Sequence, residues 1–247
     1  MNGATRLDAV LVARGLMASR SRAADAIKRG AVRVADSVIT KPGTLVPENS
    51  EIEISDPASA YVSRAALKLI HALDSFGFNP EAWVCLDLGA STGGFTQVLL
   101  ERGARRVHAI EVGHGQLHAS LKGDPRIVLH EGVNARELTQ DLIGEQVVAI
   151  TADVSFISLR LALPPALALA AADAWLVALV KPQFEVGPDA VGKGGIVRDP
   201  AVAQQAAKDV AAWLEGQGSW HVVGLVASPI LGGDGNREFL LGARRTL

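Results

Sequence analysis

The residues most able to do chemistry in this 247-residue chain gather around the string DLGASTGGF at positions 87–95. Gly89, Gly93 and Gly94 let backbone approach a ligand closely, because glycine tolerates left-handed and crowded turns. The string follows an apolar run at 84–88, which puts it at the carboxyl end of a strand, where open α/β sheets bind cofactors. It differs from the dinucleotide fingerprint G-x-G-x-x-G, which needs a second glycine where Ser91 stands. A nicotinamide oxidoreductase is disfavoured on that ground. A second apolar run, 107–111, ends in Glu111, and a carboxylate there can accept both ribose hydroxyls of a nucleoside cofactor. Asp87, Gly89, Ser91, Gly93, Gly94, Phe95 and Glu111, with Asp153 at the same edge of the sheet, are the cofactor-site candidates.

A second set combines two lysines with two carboxylates. Asp153 closes the apolar run 147–153, Lys181 follows the run 175–180, Glu238 precedes the run 239–241, and Lys68 lies on a helix expected to start at Ser63. These positions can converge on one cleft. Singly, each has a plainer reading, Lys68 as a solvated neighbour of Leu69, Leu73 and Phe76, and Glu238 as an edge-strand charge.

The elements that must position these groups alternate. Apolar runs at 84–88, 107–111, 127–130, 147–153, 175–180, 221–227 and 239–241 are separated by helical patterns, which implies a doubly wound, mostly parallel sheet with helices on both faces. Residues 161–180 are apolar apart from Asp173, yet Pro164 and Pro165 break them, so they read as a helix and a buried strand, not a membrane span. The lone Cys85 sits in an apolar run, which suits a reducing cytoplasm and an inert thiol. No signal peptide is evident at the N-terminus. A glycine-rich stretch at 187–198, with Lys193 and Arg198, reads as a mobile loop able to meet phosphate.

The N-terminal segment reads as a small α+β module. Thr5 is placed to cap a helix with Leu7, Val10 and Leu11 inward, and Ser19 or Ser21 to cap a second with Ala23, Ala24 and Ile27 inward. Val32 and Val34 then begin a small sheet that turns at Asp36-Ser37. Net charge is +5 over residues 1–42 and −7 over the rest, so a basic module precedes an acidic body. Local charge of this kind suits contact with phosphate. Poor helix and strand formers at 55–59 mark a hinge, which gives a module at 1–56, a linker at 57–62 and a large domain at 63–247.

Several strings carry a family resemblance. Residues 6–34 resemble the S-four RNA-binding domain, which implies Arg6, Arg20, Arg22 and Lys28 as RNA contacts; Arg64, near the linker, and Lys193, in the glycine-rich loop, are further RNA-contact candidates. The Asp87-Leu-Gly89 start resembles the first motif of Class I methyltransferases, which implies a Rossmann-like seven-stranded sheet, S-adenosyl-L-methionine as cofactor, and Asn134 near its adenine. The place after the fourth strand reads ADVSFISL and lacks the D/N-P-P-Y/F motif common among amino-methyltransferases acting on base nitrogens. Lys68, Asp153, Lys181 and Glu238 instead resemble the Lys-Asp-Lys-Glu tetrad of FtsJ-type ribose 2'-O-methyltransferases. A ribose hydroxyl is a poor nucleophile at neutral pH, so a lysine that takes or offsets its proton, held by carboxylates, is a useful device. YVSRAALKL, GHGQL, KPQFEVG, GKGGIV and GNREF extend the resemblance along the chain to the TlyA/hemolysin A family of ribosomal RNA (cytidine-2'-O)-methyltransferases. That resemblance implies ribosomal RNA or ribosomal subunits as partners, no metal, a cytoplasmic location, and Ser63, Phe156, Ser158, Phe184 and Glu185 near the linker or site. A pore-forming hemolysin and a non-catalytic ribosome-assembly factor are the competing readings.

Overall fold

A computed structural model describes residues 4–246, and the chain divides between Ser59 and Ala60 into two compact units. The first contains β1 (Ala4–Arg6), α1 (Leu7–Ala13), α2 (Arg20–Lys28), β2 (Val32–Val34), β3 (Ser37–Val38), β4 (Leu45–Pro47) and β5 (Ile52–Ile54). Its core sets Leu7, Val10 and Leu11 of α1 against Ala23, Ala26 and Ile27 of α2, over Val32 and Val46. Ala26, not Ala24, is the inward alanine, since it shares the helical stripe of Ala23 and Ile27.

Ser19 caps α2, its Oγ accepting the Arg22 amide at 3.3 Å. Thr5 does not cap α1. It is held extended in β1 opposite Val46, and Arg6 takes the cap position without a side-chain bond. The turn between the paired Val34 and Ser37 is made by Ala35 and Asp36, both left-handed (φ 46° and 66°), one residue earlier than the sequence suggested. Two left-handed residues suit the right-handed twist of a tight hairpin.

Asp8 is the electrostatic centre of this unit. It is 4% exposed. Arg6 Nε and Nη2 donate to its two oxygens at 3.0 and 2.9 Å, and Arg20 Nη2 adds a bond of 3.1 Å. The forked bond from Arg6 holds the carboxyl down at about 2.

The second unit contains α3 (Ala66–Phe76), β6 (Val84–Leu88), α4 (Gly94–Glu101), β7 (Arg106–Glu111), β8 (Ile127–Glu131), α5 (Gln140–Ile143), β9 (Val147–Ala152), α6 (Leu159–Ala162), α7 (Pro164–Ala168), β10 (Ala170–Val180), α8 (Pro200–Glu215), β11 (Trp220–Ala227) and β12 (Phe239–Arg245). Its seven strands run in the order β11-β12-β10-β9-β6-β7-β8, and β12 alone is antiparallel to its neighbours. This is the Rossmann-like, mostly parallel seven-stranded sheet that the sequence implies. Alternate residues of β6 serve opposite faces. Leu86 and Leu88 join a core with α6, α7 and α8, while Cys85 packs with Leu69 and Leu73 of α3 and Val98 and Leu99 of α4.

Two elements differ from expectation. α3 begins at Ala66, because residues 63–65 form a turn in which Ser63 Oγ accepts the Ala65 amide. β10 begins at Ala170, with a register shift before Trp175 that the apolar count did not reveal. Residues 161–180 form parts of α6, α7 and β10, with Pro164 opening α7. Among the described residues no helix is long and apolar enough to cross a membrane.

Because the Asp8 carboxyl lies at about 2 against an ordinary 3.8, its contribution to stability is present above pH 3.8 and is lost as pH falls toward 2. In hydrogen exchange of the α1 and α2 amides, Asp8→Asn is expected to weaken protection at pH 7 and to remove that acid-limb dependence. Unchanged protection at pH 7 would refute the assignment.

Candidate active site

β6 is the strand at which the chain order reverses, with β7 on one side and β9 on the other. A crevice opens at such a switch point, outside the carboxyl ends of the strands. Here it holds a cavity of about 840 Å³ lined by Gly89, Glu111, Asn134, Asp153, Phe156 and Phe184 among others. A smaller cavity of about 160 Å³ shares Gly89, Ser91, Asp153 and Ser155 with it and adds Ser63, Gly94, Phe95 and Lys181.

The walls are set by close backbone approach. Gly89 has φ +78°, and a Cβ there would lie 2.7 Å from the Asp153 carbonyl oxygen, so only glycine lets β6 and β9 end side by side. Ser91 is itself left-handed at φ 49°, and its amide donates to Glu111 Oε2 at 2.9 Å. Glu111, 7% exposed, also accepts the Gly113 amide on Oε1 at 2.8 Å. Asn134 lines the larger cavity and caps a short turn through Arg136.

Two predicted cofactor residues point elsewhere. Asp87 is fully buried and reaches neither cavity. Its oxygens accept Thr151 Oγ1 at 2.9 Å and Thr96 Oγ1 at 2.7 Å, and burial pushes its carboxyl up to about 6. It thereby ties β6 to β9 and α4. Gly93 is a packing glycine as well as a turn, since a Cβ would meet Leu121 Cδ1 at 2.4 Å.

The lysines and carboxylates form two ion pairs, one joining α3 to the segment before β12 and one joining the residues just past β10 and β9. Lys68 Nζ donates to Glu238 Oε2 at 2.6 Å, with both residues buried. Lys181 Nζ lies 2.7 Å from Asp153 Oδ1 and donates to Ser155 Oγ at 2.8 Å. Asp153 Oδ1 is buried, and this ion pair is its close polar contact among the described residues. Pairing of Val180 with Phe239 and of Ala178 with Ala152 brings Lys181, Glu238 and Asp153 to one edge of the sheet. Buried pairs like these are costly to break singly, because the remaining charge is stranded.

Comparison with known proteins assigns the family. Residues 61–245 match the FtsJ-like methyltransferase family and residues 5–52 the S4 domain. The chain is 48% identical over 240 residues to the 16S/23S rRNA (cytidine-2'-O)-methyltransferase TlyA of Mycobacterium tuberculosis, covering 97% of this chain and 89% of that one. The chain belongs to the TlyA family of FtsJ-like methyltransferases. Hemolysin A of Brachyspira hyodysenteriae is 38% identical, covering 95% of this chain and 98% of its own. A solved structure described as a hemolysin from Streptococcus thermophilus superposes with a TM-score of 0.75 at 36% identity, over 100% of this chain and 90% of that one. Proteins named as hemolysins thus share both domains and the full course of a TlyA methyltransferase.

Around the FtsJ-like sheet, Asn236 and Gln97 escaped the sequence reading, and Glu185, placed there only near the linker or site, has a defined role. Asn236, 1% exposed, accepts the Val197 amide on Oδ1 at 2.9 Å and donates from Nδ2 to the Gly195 carbonyl at 2.8 Å. It pins the turn that bears Lys193, itself closed by a bridge between Gly192 and Ile196, to the segment leading into Glu238. Glu185 accepts Ser158 Oγ at 2.6 Å and the Leu159 amide at 2.7 Å, joining the loops after β9 and β10. Gln97 accepts the Val62 amide and donates to the Ala60 carbonyl, so residues 60–62 of the expected linker dock on α4. The partners of these groups lie in other loops or helices, which is why periodicity passes over them.

In the S4 unit, Arg6 and Arg20 converge on Asp8 with their outer faces in solvent, and Lys28 is exposed at the last turn of α2. Arg22 and Arg64 have interactions of their own. One amide at the α2 N-terminus is already taken by Ser19, which reduces what that helix end offers an anion.

Two measurements test this site. A carboxyl raised to about 6 from 3.8 favours folding below pH 3.8 and loses that contribution as pH rises through 6. Wild type should therefore lose about 3 kcal/mol relative to Asp87→Asn between pH 3.8 and neutrality, read by chemical denaturation. A pH-independent difference would show that Asp87 is not held neutral-prone. Separately, Asn236→Ala should speed tryptic cleavage after Lys193 by about tenfold, and an unchanged rate would mean that the turn is held by other contacts.

Proposed function

We propose that this protein transfers a methyl group from S-adenosyl-L-methionine to a cytidine ribose 2'-hydroxyl of ribosomal RNA, in the small subunit, the large subunit or both. The observation that carries the reading is the pair of ion pairs, Lys181 with Asp153 and Lys68 with Glu238, at the edge of a crevice whose wall presents Glu111. The identity of 48% to a TlyA enzyme named for this reaction supports it. Action on ribosomes puts the protein in the cytoplasm.

The crevice fits the donor. Glu111 Oε2 has lone-pair capacity beyond the Ser91 amide for a ribose hydroxyl, Asn134 stands by the same cavity for the base, and the backbone at Gly89 and Ser91 admits close approach. The Asp153 carboxylate lines both cavities and suits a cationic amino group. Gly94 and Phe95 line the smaller cavity beside it. Asp87 and Gly93 support this site from behind. When bound, the donor supplies a methyl group already activated by its sulfonium.

The protein must therefore prepare the acceptor. Lys181 Nζ, fixed by Ser155 and Asp153, orients the hydroxyl oxygen and stabilises the negative charge that grows there as its proton passes to solvent water. Lys68 and Glu238 tie α3 to the segment before β12 and keep the field at the cleft fixed. Phe156 is 92% exposed on a left-handed backbone (φ 64°), with Phe184 tilted against it at 5.2 Å. An aromatic held out at a site's mouth in a strained conformation is suited to stacking on an unpaired base. Arg6, Arg20, Arg22 and Lys28 of the S4 unit, with Arg64 and Lys193, serve as phosphate contacts, so binding should weaken with salt.

The test is Lys181→Ala in the full chain. Calorimetry should find donor affinity within about twofold of wild type, while mass-spectrometric mapping of ribose methylation on purified 30S and 50S subunits falls by a factor of about a hundred or more. Undiminished ribose methylation, or methylation of a base in place of ribose, would sink the mechanism.

A further inference from the structure

The GHGQL turn after β7 has no role in the reading so far. Its Gln116 bridges two walls of the larger cavity. Nε2 donates to Glu111 Oε1 at 3.1 Å, and Oε1 accepts Ser91 Oγ at 3.2 Å. The backbone is fitted to this amide, since a Cβ on Gly113 would lie 2.1 Å from Gln116 Nε2. Leu117, the next residue, is 5% exposed and packs under Gly93, where an added Cβ would come within 2.8 Å of it. The turn is thus anchored at Leu117, while Gln116 itself is solvent-exposed and lines the cavity.

The Gly113 amide and Gln116 Nε2 together fill Oε1 of Glu111, so the carboxylate must be held with its remaining acceptor site, on Oε2, facing a ribose hydroxyl. A glutamate side chain has three rotatable bonds, so fixing it beforehand removes an ordering cost from binding. The Ser91 and Gly113 amides hold Glu111 from the strand side, and Gln116 supplies the tie from the cavity side. The same side chain joins Glu111 to the glycine turn through Ser91 Oγ, so the two loops that would flank a ribose share one hydrogen-bonded link.

We propose that Gln116 is a positioning residue that holds Glu111 with Oε2 toward the ribose 2'-hydroxyl of the donor, and so makes the site select ribonucleoside over deoxyribonucleoside ligands. This rests on the reading of the larger cavity as the donor site. Removal of an exposed side chain opens no core, and the isosteric Gln116→Glu keeps its shape while replacing the donating amide with a carboxylate facing Glu111.

The experiment measures, by calorimetry on the full chain, binding of S-adenosylhomocysteine and of its 2'-deoxyribose analogue to wild type, Gln116→Ala and Gln116→Glu. Wild type should prefer the ribose ligand by about tenfold or more. Gln116→Ala should lose about fivefold to tenfold for the ribose ligand and less than about twofold for the deoxy analogue, with a larger loss in Gln116→Glu. At saturating donor, kcat should stay within about twofold while KM for the donor rises. Equal losses for both ligands, or none for either, would overturn the proposal. A wild-type chain that binds neither ligand overturns the donor reading itself, and is told apart because it precedes any substitution.

Discussion

A single buried carboxylate holds the working end of this sheet together. Asp87 sits at the end of β6 with no access to solvent, and its two oxygens are taken by Thr151 of β9 and Thr96 of α4. Removing a carboxyl from water costs free energy, and the group is raised to about 6 as a result. The cost is accepted at the point where three elements must keep fixed distances. Downstream of it the chain turns through Gly89 and Ser91, both left-handed, and everything that faces the crevice is measured from that turn.

From this anchor the chemistry follows by strand order. β6 and β9 end side by side because Gly89 offers no Cβ to the Asp153 carbonyl, and β10 and β12 extend the same edge. One ion pair then lies just past β9 and β10 and the other ties α3 to the segment before β12, each lysine held by a carboxylate. In a half-buried cleft such pairs keep their charges oriented without much motion, which is what a reaction dependent on fixed electrostatics requires.

Much of this was legible in the sequence. The apolar runs located all seven strands, because a buried parallel strand needs a continuous run of β-branched and aliphatic residues, and Asp153, Lys181 and Glu238 could be placed by standing just beyond such runs. The boundaries were less legible. Ser63 looks like a helix start but makes a turn, and Thr5 looks like a cap but pairs in a strand, since the same small polar side chain suits each use. Asp87 looked like a ligand contact because its position in the motif is unmistakable, while the direction of its side chain depends on Thr96 and Thr151, which no local pattern connects to it. Asn236 and Gln116 were missed for a related reason. Their partners are backbone groups or side chains in other loops, and a lone amide in a turn carries no periodic signal.

The reversed strand has a consequence for how the protein is made. β12 runs opposite to its neighbours and slots between β10 and β11, so its N-terminal end, with Glu238, arrives at the edge where the other strands finish. The crevice walls from Gly89 to Phe184 are encoded earlier and can assemble around the first five strands. Lys68 waits for a partner 170 residues away. The Lys68–Glu238 pair can therefore form only once the last strand has been made and has paired with β10.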